Sequence, residues 1–210
     1  MPITFPKAPR GAAAKLVGHL TELARERKLP HRMPQMQLET LSHSEAHGAY
    51  FVPLDALAEG KLLAAAKQTS WRYLLVQNDA AIGEAELTAG RRGAKGTAAR
   101  SLEFASLTHG PFAPATVEAL GAAERLPQVA RADYELRLLR IPAVYFVALW
   151  LHGAHDDILI PMGDPPGGLE RNEPYGEAAV LEALRAPAEQ ARRFDAAYRE
   201  RRPKRGGRKK

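Results

Sequence analysis

The stretch from Tyr134 to Met162, YELRLLRIPAVYFVALWLHGAHDDILIPM, most narrows what this chain can fold into. It holds the longest unbroken apolar run, Ala143 to Leu151. An alternating segment precedes that run, with Tyr134, Leu136 and Leu138 set against Glu135 and Arg137, and a short apolar segment, Ile158 to Ile160, follows it. Period-two alternation and short apolar runs bounded by turn residues mark strands, so the stretch is read as the centre of a sheet. Pro142 has no N–H to give to a ladder, which predicts a bulge or corner between strands Tyr134–Arg140 and Ala143–Leu151.

The flanking sequence alternates between helical and extended patterns. Leu16, Leu20, Leu23 and Ala24 give one apolar face to a helix over Gly11–Leu29, stopped by Pro30. An extended strap follows to Glu45, with Met33, Met36, Leu38 and Leu41 laid over apolar surface. Pro53 opens a helix to about Gln68, with Leu54, Leu57, Ala58, Leu62 and Ala65 on one face and Gly60 inside it at a cost of about 1 kcal/mol. Strands Trp71–Gln77 and Ala81–Thr88 are joined by Asn78-Asp79, which tolerate a tight hairpin turn, and Ser101–Thr108 gives a third. A helix over Pro111–Leu126 precedes the central strands. The last helical region, Tyr175–Tyr198, is expected to break at Pro187, with Ala188, Ala191, Phe194 and Tyr198 facing inward.

A helix followed by two or three strands occurs twice, at Pro53–Thr108 and Pro111–Met162, each after a His-Gly pair (His47-Gly48 and His109-Gly110). An αβββ duplication would explain this order, and so would chance. The fold class expected is α+β: one domain over residues 1–198, an antiparallel β-sheet of about five or six strands covered by helices, and a disordered basic tail over 199–210.

Composition excludes several chemistries. The chain has no cysteine, hence no disulfide, thiolate metal site or cysteine nucleophile. No apolar run approaches the roughly 20 residues that span a bilayer, and the amino terminus lacks the apolar core of a secretory signal, so a cytoplasmic location is expected. The Arg-over-Lys bias, 21 to 9, and the alanine-rich helices suggest a GC-rich bacterial genome.

The formal charge of +6 is unevenly placed. Eight of the 30 Lys and Arg, and one of the 24 acidic residues, fall in RERRPKRGGRKK at the carboxyl end, leaving 22 basic against 23 acidic residues elsewhere. The body is balanced and the tail carries the net basicity. Arg199, Arg201, Arg202, Lys204, Arg205, Arg208, Lys209 and Lys210 are therefore the candidate polyanion contacts, able to release counterions from a nucleic acid without reading its sequence. An acidic protein partner would satisfy the same charges.

Other motifs compete with plainer readings. His43 and His47 in HSEAH would share a metal on a helix, although the order is not HExxH, and a solvated loop uses the same residues. His152, His155 and Asp156 cluster in the turn after the central strand, where imidazole and carboxylate would relay a proton or hold a divalent ion. GRRGAKGT, Gly90–Thr97, departs from the phosphate-loop pattern, since Lys95 precedes Gly96 and no helix follows. No GxSxG, GxGxxG or CxxC occurs, and Ser42, Ser44, Ser70, Ser101 and Ser106 have no recognisable catalytic setting. Tyr145, Phe146, Trp150 and Trp71 lie in apolar strands, where aromatics serve the core more often than a stacking platform. These patterns lead to a non-enzymatic binding or accessory protein that contacts nucleic acid or another polyanion through its tail, with no cofactor. A metal-assisted hydrolase around His152–Asp157 is the second reading, and a structural partner of another protein the third.

Overall fold

A computed structural model describes residues 3–30, 33, 36–90 and 102–201. From the amino end these form β1 (Ile3–Thr4), α1 (Ala12–Arg25), β2 (Leu41–His43), β3 (His47–Phe51), α2 (Leu54–Ala58), β4 (Lys67–Gln77), β5 (Ala80–Ala89) and β6 (Leu102–Thr108). Then follow α3 (Phe112–Glu124), β7 (Tyr134–Ile141), β8 (Phe146–Gly153), β9 (Asp157–Pro161) and α4 (Glu177–Arg201). The class is α+β, as the pattern predicts, but the sheet is larger than five or six strands and is not wholly antiparallel.

Among the described residues nine strands make one mixed sheet with the path β6-β5-β4-β3-β7-β8-β9. Two antiparallel meanders, β4-β5-β6 and β7-β8-β9, lie either side of β3, which runs antiparallel to β4 and parallel to β7. Beyond His47 the two neighbours of β3 part company: β2 stays on β4, opposite Leu75 to Gln77, while β1 pairs in parallel with the start of β7. The three strands absent from the sequence reading, β1 to β3, have two, three and five residues and display no period.

The Asn78-Asp79 turn forms as expected, both residues adopting positive φ as a two-residue hairpin turn requires. Pro142 also acts as expected, placing a single 3-10 turn, Pro142–Val144, between β7 and β8. The helix expected from Pro53 to Gln68 is cut to α2. Gly60, at φ 77°, terminates it, with Gly60 N–H bonded to the Leu57 carbonyl and Lys61 N–H to that of Ala56. This is the Schellman arrangement, in which glycine ends a helix rather than weakening its middle. The two His-Gly pairs occupy unlike places, one inside β3 and the other in the turn ahead of α3, so they mark no equivalent positions in a repeat.

Each sheet face has its own cover. On one, α3 packs Ala115, Ala119 and Ala123 onto Leu136, Leu138, Leu149, Leu151 and Ile160. On the other, α2 and α4 enclose Leu139, Ile141, Phe146, Ala148 and Trp150, while α1 and the strap residues Met33 and Met36 cover Tyr73, Leu75, Ala85 and Leu87.

Helix α4 does not break at Pro187; it runs unbroken past Tyr198 to Arg201. Proline at 187 removes the hydrogen bond to the carbonyl four residues earlier, that of Ala183. That carbonyl faces Gly167, whose φ is 76° and where an added Cβ would overlap the Ala183 oxygen. The connector 163–168 thus lies against the helix at the gap left by proline. Replacing Gly167→Ala should destabilise the fold by more than about 2 kcal/mol, combining a left-handed backbone with a clash against a main-chain atom. Chemical denaturation compared with Gly168→Ala, which has the same backbone sign and open space around it, separates the two contributions.

Candidate functional site

Alternate residues of a strand share a face, and on the α3 face four strands contribute charge instead of apolar bulk. His47 comes from β3, Ser70 and Arg72 from β4, Glu84 and Glu86 from β5, and Arg140 from β7. Arg72 is 0% exposed. Its Nε donates to Glu84 Oε2 at 2.6 Å and its Nη2 pairs with the same oxygen. Nη2 also donates to Thr116 Oγ1 of α3 at 2.9 Å, and Nη1 to His47 Nε2 at 3.0 Å. The other Glu84 oxygen accepts from Arg140 Nη2 at 3.2 Å, and Arg140 Nη1 bonds Glu86, whose second oxygen accepts from the Ser70 hydroxyl. Two arginines and two glutamates form a charge-balanced chain.

Arg72 fixes the state of His47. Its N–H points at Nε2, so that nitrogen accepts and the proton resides on Nδ1. Burial, reinforced by the Arg72 and Arg140 charges, pushes the imidazole down to about 3, although the Glu45 carbonyl opposes this. Among the described residues Nδ1 meets no partner at hydrogen-bond geometry. Burial likewise lowers the Arg72 guanidinium, with Glu84 acting in the opposite sense.

Near the start of α3 this cluster opens into a cleft of about 450 Å³. Glu84, Glu86 and Arg140 line it together with Ser106 and Thr108 of β6, and Phe112, Tyr145 and Val147 supply apolar lining. Tyr145 follows the 3-10 turn at φ 54°, ψ 30° and is 89% exposed. It departs from its expected place in the core, whereas Phe146 and Trp150 are buried as expected.

The histidines singled out in the sequence do not converge. His43 lies opposite Leu75 and His47 opposite Arg72, an odd spacing along β4 that puts them on opposite faces. Neither sits at a helix entry: β2 and β3 hold them in the sheet. His43 is exposed, with its ring edge-on to Tyr73, and with Ser44 and Glu45 it walls a groove of about 440 Å³ against the 5–14 segment.

In the β8–β9 turn, His152 Nδ1 and Trp150 Nε1 both reach Asp157 Oδ1, at 2.7 and 2.6 Å. Asp156 instead accepts from the Tyr134 hydroxyl at 2.9 Å, on the other face, and His155 is exposed. Among the described residues no three His, Cys, Asp or Glu side chains come together as a metal would need. The loop residues 91–97 and the tail residues 202–210 lie outside the described residues.

The carboxyl end of α4 departs from its expected packing. Val180, Leu184 and Ala188 are buried and Ala191 packs beside them. Phe194 and Tyr198 continue that stripe at the same helical spacing but are 73% and 68% exposed. Arg192 and Arg193 are exposed alongside. No family model, no curated protein and no solved structure matches the chain.

Sequence reasoning overlooked the ionic cluster, although its signal was present. Arg72 interrupts WRYLLV, and Glu84 and Glu86 alternate within β5; charges at the inward phase of a strand demand partners.

Two outcomes follow from this chemistry. Between about pH 6.5 and 3 the unfolded chain protonates His47 while the folded chain does not, so stability is full above 6.5 and falls as pH drops, by about 1.4 kcal/mol per unit. Denaturation midpoints from pH 7.5 to 4.5 should fall less steeply in His47→Gln. Arg72→Leu should cost about 3–5 kcal/mol by leaving Glu84 Oε2 buried without the donors it has, and adding Glu84→Leu should recover most of it.

Proposed function

We propose that the protein is a non-enzymatic binding or accessory protein that holds nucleic acid between the projecting end of α4 and the basic tail. The observation carrying this reading is the continuation of α4 beyond the sheet with Phe194 and Tyr198 uncovered, next to Arg192 and Arg193. An aromatic pair spaced by one helical turn offers faces on which bases stack, and flanking arginines supply the phosphate attraction. The chain then passes into the segment that holds eight Lys and Arg from Arg199 onward, enough for strong, salt-sensitive, sequence-indifferent attraction. The folded body is balanced in charge and supplies a platform instead of attraction of its own.

Fluorescence anisotropy with a labelled single-stranded and a duplex oligonucleotide, at about 50 and 200 mM salt, tests the reading. The full chain should bind both and weaken steeply with salt. A chain ending at Tyr198 should lose most of the affinity and much of the salt slope. Phe194→Ala with Tyr198→Ala, tail intact, should weaken the single strand by about 1–3 kcal/mol for each base that stacks and leave the duplex nearly unchanged. Equal binding by the full and shortened chains at both salts removes the tail from the account.

A further inference from the structure

The cleft beside the ionic cluster is a second place where this chain meets a ligand, and we infer that it takes a planar, uncharged heteroaromatic ring of nucleobase type. Three observations converge on that chemistry.

The first concerns Tyr145. A non-glycine residue in the left-handed region is disfavoured, and for a bulky aromatic side chain the conformation needs a compensating gain. Burial provides none, since the residue is 89% exposed. Its backbone N–H closes the 3-10 turn onto the Pro142 carbonyl, a bond that glycine or asparagine would make equally well at such a position. The strained position therefore keeps an exposed aromatic residue in the lining of the cleft for no internal benefit, and strain of this kind gathers at binding sites.

The second is charge. Glu84 and Glu86 are each engaged by Arg140, and Glu84 also by Arg72, so the polar lining offers neither a bare cation nor a bare anion. A charged ligand would have to displace an internal ion pair. An uncharged one would not.

The third is the pattern of donors and acceptors. The Ser106 and Thr108 hydroxyls, the Arg140 guanidinium and the Glu86 carboxylate set donors and acceptors along one lining, while Phe112, Tyr145 and Val147 offer apolar contact. A base edge carries alternating donors and acceptors on a flat ring, and about 450 Å³ lies within the range of small-ligand sites. The inference stands apart from the reading of α4, because a free nucleoside has no phosphate for the tail to hold.

Amide NMR spectra of the full chain, titrated separately with adenosine, guanosine, cytidine and uridine, test it, with benzoate and benzamidinium as planar charged controls. At least one nucleoside should shift the amides of Glu84, Glu86, Ser106 and Tyr145 and bind more tightly than both controls. Tyr145→Gly should weaken that binding about tenfold or more, the loss expected when a stacking ring is removed, while its melting temperature holds or rises because glycine relieves the left-handed backbone. Thr108→Val, with the ring in place, should weaken it several-fold. No shift with any nucleoside at millimolar concentration, tighter binding of either control, or undiminished binding by Tyr145→Gly would overturn the inference.

Discussion

Arg72 is the point at which most of the structure meets. One guanidinium touches Glu84 of β5, His47 of β3 and Thr116 of α3, and through Glu84 it is coupled to Arg140 of β7. A buried ion pair is weak evidence for net stability, because removing two charges from water offsets much of their attraction. Its force lies in what it forbids: a sheet shifted by one residue would put Arg72, Glu84 and His47 among the apolar side chains of the opposite face. The cluster thus sets the mutual register of β3, β4 and β5 and pins the start of α3 over them.

The same cluster divides the α3 face into two regions. Over β7 to β9 the helix lays small alanines against leucine and isoleucine and excludes solvent. Toward β5 and β6 the face becomes ionic, and the cleft lies between those strands and the corner that joins β7 to β8. On the opposite face the Arg137 guanidinium lies 5.0 Å from the Tyr50 ring centre and 4.6 Å from that of Trp150. Cation and aromatic faces satisfy one another.

Much of the architecture was legible in the sequence because long strands and helices display their period. The β4–β5 hairpin announced itself through Asn78-Asp79, and the corner at Pro142 through a missing donor. Strand β3 did not, since HGAYF is too short for a pattern and its pairing depends on β7, far away in sequence. Pro187 misled in the other direction: the helix continues through it, and Gly167 of another segment lies against the carbonyl that proline leaves without its helical donor. Phe194 and Tyr198 obey the period of an inward face, yet the sheet beneath has ended. Periodicity reports which face is apolar, not whether anything lies opposite.

The placement of β3 has a consequence for how the molecule is made. β3 to β6 pair with sequence neighbours and close only short loops, as do β7 to β9, so each group assembles locally and fast. Joining them requires β7 to align in parallel with β3, a strand made much earlier. Until then the amino-terminal half presents the backbone of β3 as a raw border, the kind that recruits stray strands. Conditions that slow the arrival of β7 should therefore provoke clumping of nascent chains well before they lower the stability of the finished protein.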